Sequence, residues 1–132
     1  MKRTPIKRRK PPAAEAKLLK EFAAEFPQCF VCGGRYMLQV HHILGGPNRK
    51  NVRCNLTILC TICHLAYHSG GPVWWFGAKR PPLRLGHILC VKFLCDPIGT
   101  DWEELAAIRG RALPEDLPLD SWYVRERERN GL

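Results

Sequence analysis

Residues 28–69 read QCFVCGGRYMLQVHHILGGPNRKNVRCNLTILCTICHLAYHS, and this stretch decides the fold. Two Cys-x-x-Cys pairs, Cys29/Cys32 and Cys60/Cys63, bracket the doublet His41-His42, and the second pair runs directly into His64 and then His68. One tetrahedral zinc takes four ligands, so eight metal-competent side chains within forty residues imply two sites with different roles. The 27 residues between the Cys pairs are enough for a strand, a loop and a returning strand that bring the four sulfurs together. The expected result is a structural zinc on Cys29, Cys32, Cys60 and Cys63, replacing core that a short chain lacks.

Local patterning supports that hairpin. Residues 36–43 (YMLQVHHI) alternate well enough for a strand, Gly45-Gly46-Pro47-Asn48 break it, and residues 55–59 (NLTIL) read as the return. Residues 60–69 are expected to turn helical from about Thr61, with Gly70-Gly71-Pro72 as the stop. On that helix His64 and His68 are i and i+4 and share a face. Adjacent strand residues point to opposite faces, so His41 and His42 cannot both bind one ion. Three imidazoles then hold a transition metal with an open position, and the fourth stays free for proton transfer. Asn55 is a neutral amide suited to orienting that base or holding the loop.

Working outward, residues 13–26 (AAEAKLLKEFAAEF) carry Ala14, Leu18, Phe22 and Phe26 on one helical stripe, and Pro27 ends it. Residues 73–82 (VWWFGAKRPP) read as an aromatic and basic loop in which Trp74, Trp75 and Phe76 serve packing. Residues 83–95 and 101–109 are expected to be helices, the second with Asp101 near its N-cap. Cys54, Cys90 and Cys95 are expected as buried small hydrophobes, and His87 lies apart from the other histidines.

The net charge of +9 is unevenly spread. Residues 26–95 hold no Asp or Glu, yet they include Arg35, Arg49, Lys50, Arg53, Lys79 and Arg80, a cationic set suited to a nucleic-acid backbone. The same absence excludes a carboxylate-built magnesium or calcium cage from this segment. Residues 1–12 hold six Lys/Arg and no acid, as a flexible basic arm would. No apolar run is long enough to span a membrane, and the N-terminus lacks the apolar core of a signal peptide, so a cytoplasmic protein is expected.

The joint pattern Cys29-x-x-Cys32, Val40-His41-His42-Ile43, Asn55-Leu56, Leu59-Cys60-x-x-Cys63-His64 and His68 resembles the HNH endonucleases with an accessory four-cysteine zinc. The resemblance implies an α+β fold: a small ββα-metal core stapled by the zinc, with flanking N- and C-terminal helices. It divides the chain into the basic arm (1–12), a nuclease domain with its N-terminal helix (13–95), and a C-terminal helical extension with a charged tail (96–132). Under this resemblance His42 is the general base, Asn55 supports it and the loop, and His64 joins His41 and His68 on a catalytic divalent ion (Mg2+, Mn2+, Ni2+ or Zn2+). Asn51, also in the loop, competes with Asn55 for that supporting role. The implied reaction is hydrolysis of DNA, expected to be double-stranded, to 5′-phosphate and 3′-hydroxyl ends. A phage or prophage origin, with action in the bacterial host cytoplasm, goes with the same resemblance. Many members carry an acid just before the doublet, where this chain has Gln39-Val40. Two alternatives are a non-catalytic zinc-binding nucleic-acid module and an adaptor protein for which the histidines are dispensable.

Overall fold

The structure is a computed structural model that describes residues 12–45, 49–69, 73–75, 78–80 and 83–114. Strand Leu38–His42 (β1) pairs antiparallel with Leu56–Cys60 (β2), placing Leu38 opposite Cys60 and His41 opposite Thr57. All five residues of β2 are buried, because β1 lines one of its edges and the first Cys loop the other, through Phe30 N–H donating to Ile58 O at 2.8 Å. Helix Thr61–Ser69 (α2) begins at the residue after β2 ends. Its first donors are met by the Met37 carbonyl, which accepts from Thr61 N–H at 3.2 Å and from the Thr61 hydroxyl at 3.3 Å. Met37 adopts a left-handed φ of 53° at this turn, the one non-glycine residue among those described to do so.

Helix Ala13–Glu25 (α1) buries Phe22 and sits on the first Cys loop through rings. Phe22 to Phe26, Phe26 to Phe30 and Phe22 to Phe30 are 5.0, 5.2 and 6.0 Å between centroids, in tilted and edge-on geometries that favour aromatic pairs. Of the expected stripe, Leu18, Phe22 and Phe26 pack in the core, while Ala14 at its start is exposed. Gly33, at φ 75°, closes the loop, with its N–H donating to Cys29 O at 2.9 Å.

Helix Leu85–Cys95 (α3) runs through the core and carries a fully buried lysine. Lys92 Nζ donates to Asp96 Oδ2 and to Arg53 O, both at 2.8 Å. The other side of Asp96 takes Arg53 Nη2 at 2.8 Å and Gly99 N–H at 3.1 Å, while Arg53 also holds Glu25 through two bonds of 2.9 Å. This knot ties α1, α3 and the 3-10 turn Arg53–Asn55 before β2 into one body. A Cβ at Gly99 would collide with the Asp96 carboxylate, so only glycine fits there. Arg53, expected from the sequence to face nucleic acid, is instead spent on these carboxylates: the acid-free segment finds its counter-charges on elements outside it.

One other expectation changes. The loop expected over residues 73–82 contains a short hairpin, Val73–Trp75 (β3) antiparallel to Ala78–Arg80 (β4), in keeping with the strand preference of Val and Trp. The side chains of Trp74, Trp75, Lys79 and Arg80, and all of Phe76, lie outside the described residues. The basic arm up to residue 11 and the tail from residue 115 lie outside them too. Helix Trp102–Arg109 (α4) is capped by Asp101, whose Oδ1 accepts from Glu104 N–H at 3.0 Å, and it buries Leu105 in the common core. Gly110 ends it at φ 76°, its N–H reaching Ala106 O and Ala107 O. The fold is α+β, with small antiparallel sheets. Among the described residues no helix is long and apolar enough to cross a membrane.

Candidate metal centres and the histidine faces

The hairpin brings the two Cys pairs together, so that the sulfurs of Cys29, Cys32, Cys60 and Cys63 all lie within 4.8 Å of one another. Cys32 Sγ to Cys60 Sγ is 3.7 Å. Thiolates about 2.3 Å from a tetrahedral zinc stand about 3.8 Å apart, so the donor set and its spacing fit such an ion. Gly34 N–H donates to Cys32 Sγ at 3.4 Å and Cys63 N–H to Cys60 Sγ at 3.5 Å, backbone support of the kind that holds thiolate charge. Sulfur-to-sulfur hydrogen bonds push the Cys63 and Cys29 thiols up and hold Cys32 and Cys60 down. The group can hold a metal ion such as zinc, whose binding displaces the shared protons.

The second cluster is built across β1 and α2. His41 is buried on the strand face that meets α2, and His64 and His68 project from one side of the helix. Their ligand atoms also lie within 4.8 Å of one another, and the ring centroids are 4.5 to 5.7 Å apart. The outer nitrogens are occupied in a way that selects the inner ones. His64 Nδ1–H donates to Gln39 Oε1 at 2.7 Å, on the same face of β1. The Thr57 hydroxyl donates to His41 O at 3.2 Å, so its oxygen accepts from His41 Nδ1–H at 3.3 Å. Both rings therefore turn Nε2 inward, where His68 Nε2 lies 2.8 Å from His64 Nε2. Burial, with the charges of His64, His68 and His42, pushes His41 down to about 3; burial and His68 lower His64. Neutral imidazoles at neutral pH are the ligand form.

His42 projects from the opposite face of β1, as the alternation requires. Its Nε2–H donates to Asn51 Oδ1 at 2.6 Å, leaving Nδ1 as the lone pair. Burial holds His42 below its ordinary pKa, with Arg49 acting in the same direction and the Asn51 bond against it. The side-chain hydrogen bonds of Asn55 go to the loop backbone rather than to His42. Asn55 is fully buried and clasps the loop: Oδ1 accepts from Leu44 N–H at 2.8 Å, and Nδ2 donates to Leu44 O at 3.1 Å and Lys50 O at 3.0 Å. The two asparagines thus divide the work between them, Asn51 at the histidine and Asn55 at the loop.

Of the expected cationic residues, Arg35, Arg49 and Lys50 are exposed. Cys54 and Cys90 are buried, as expected, and burial together with Glu104 pushes the Cys54 thiol up to about 12. Cys95 is half-buried, its Sγ donating to Phe30 O at 3.7 Å.

Two side chains at the site carry no sequence motif. Gln39 is one. The other is Tyr67, whose ring stands edge-on to His41 at 5.0 Å and to His68 at 5.2 Å, and which lines a cleft of about 420 Å³ beside the cluster. No protein-family model, curated protein or solved structure matches the chain.

Proposed function

We propose that the chain is an HNH-type metal-dependent endonuclease that hydrolyses DNA phosphodiester bonds, with a four-cysteine zinc as its scaffold. The observation that carries this proposal is the division of four histidines by one strand. His41, His64 and His68 gather on one face of β1, and His42 stands on the other with a hydrogen bond that frees Nδ1.

His41, His64 and His68 would hold the catalytic divalent ion, the role that the resemblance to HNH endonucleases gives them. When bound, that ion supplies positive charge to the scissile phosphate and to the departing 3′ oxygen. His42 Nδ1 takes a proton from water as the water oxygen attacks phosphorus, and the bond from phosphorus to the 3′ oxygen breaks; that oxygen takes a proton from solvent water, leaving 5′-phosphate and 3′-hydroxyl ends. Asn51 keeps the His42 ring in the tautomer this needs, and Gln39 and Thr57 do the same for His64 and His41. Arg35, Arg49 and Lys50 are exposed on the same acid-free segment and supply the charge that attracts the DNA backbone.

The test is nicking of supercoiled plasmid by the purified chain with Mg2+, Mn2+, Ni2+ or Zn2+ added in turn. Nicking is expected with at least one of them, and His42→Ala is expected to abolish it while leaving zinc content and thermal unfolding unchanged. Binding of DNA with no cleavage under any metal would make the chain a non-catalytic zinc module instead.

A further inference from the structure

The cleft beside the histidines carries three arginines from two distant parts of the chain. Arg49 comes from the loop after β1, and Arg109 and Arg111 from the end of α4. The left-handed Gly110 between the last two turns the chain at the helix terminus, so that both line one cavity. Arg109 is steadied there by donating Nη1–H to Ala112 O at 2.6 Å. Among the described residues no carboxylate lines the cleft, in contrast to Arg53, whose charge is consumed by Glu25 and Asp96. Ile43 and Leu85 form apolar wall, and Tyr67 closes the side toward His41 and His68.

Three arginines lining about 420 Å³ of open space, with no acid among the described lining residues, match an anion with several acceptor oxygens. We propose that this cleft is a second phosphate subsite, which takes a backbone phosphodiester of the DNA strand flanking the one cut at the histidines, with the sugar against Ile43 and Leu85. The identity of the ligand as DNA rests on the proposed nuclease function. The subsite makes the C-terminal region part of substrate binding, because the last residue of α4, Arg109, and Arg111 just beyond its Gly110 cap supply two of the three arginines. Tyr67 lines the cleft and stands edge-on to His41 and His68, so it joins the two sites along one surface.

The experiment is a salt titration of the full chain binding a short labelled DNA duplex, followed by fluorescence anisotropy without added divalent ion, for wild type, Arg111→Gln and Arg109→Gln/Arg111→Gln. Each phosphate contact contributes about 0.9 to the slope of log affinity against log salt. The slope is expected to become shallower by about one in the double variant and by a smaller step in Arg111→Gln, while Arg111→Lys is expected to keep the wild-type slope. Unchanged slope and affinity in variants that keep the wild-type melting temperature would overturn the subsite. Because Arg109 also bonds Ala112, Arg111→Gln alone decides the matter if the double variant unfolds. Plasmid nicking is scored in parallel. Nicking by wild type together with an unchanged slope sinks the subsite and spares the nuclease; a shifted slope without nicking under any metal does the reverse.

Discussion

Gln39 Oε1 and His64 Nδ1 meet at 2.7 Å across the junction of β1 and α2. A neutral amide from the strand thereby decides which nitrogen of a helical histidine faces its partners. Removing the amide in Gln39→Ala lets the ring rotate and take either tautomer. The expected result is a loss of about 10- to 100-fold in affinity for a divalent ion at the histidine cluster. Titration with Co2+, read from its visible absorption, measures this directly, and unchanged affinity would remove Gln39 from the site.

The two asparagines should separate cleanly. Asn55→Ala strips three hydrogen bonds from a fully buried position and strands the Leu44 and Lys50 backbone groups, at an expected cost of about 2–4 kcal/mol in urea unfolding. Asn51→Ala leaves the loop clasped and should cost under about 1 kcal/mol, while slowing nicking through loss of His42 orientation. Equal stability effects would contradict this assignment.

If the four sulfurs hold a zinc, Cys63→Ala or prolonged treatment with a strong chelator should release one zinc per chain and lower the melting temperature sharply, since the ion would take the place of core. A colorimetric zinc assay paired with calorimetry checks both. His64→Ala, one residue further on, should keep that zinc and most of the stability. Loss of zinc in His64→Ala would mean that the two clusters are not separate.

Asp96 sets an acid limit on stability. Burial alone would raise its carboxyl, but the Arg53 and Lys92 hydrogen bonds hold it below the ordinary carboxylate value. Its contribution is therefore complete above a pH of about 4 and is lost as pH falls through the lower folded value. Asp96→Asn leaves Lys92 buried without a counter-charge and should cost about 3–5 kcal/mol at neutral pH. The gap from wild type should narrow below a pH of about 4, as measured by denaturant titration across pH. A gap that stays constant to strong acid would show that the carboxylate charge is unimportant.

Patterns set by short-range periodicity were legible in the sequence. The Cys-x-x-Cys spacing, the i and i+4 placement of His64 and His68, and the alternation that parts His41 from His42 each depend on a few consecutive residues. What was not legible depends on where distant segments come to rest. Arg53 looked like part of a basic surface because its partner Asp96 lies 43 residues away, beyond the acid-free segment. Asn51 and Asn55 are the same side chain four positions apart in one loop, and only the path of that loop says which reaches His42. Arg109 and Arg111 sit in an acidic part of the chain, and Gly110 alone hinted that the helix ends between them. Tyr67 and Gln39 carry no motif at all.

The clasp at Asn55 holds Leu44 and Lys50 at a set separation whatever lies between them. Closing a longer loop costs only slightly more entropy. Residues inserted after Gly45 would therefore extend the segment leading to Arg49 without shifting the register that presents His41 and His42. Under the proposed nuclease function, length variation there would change which DNA is engaged while the four histidines keep their places.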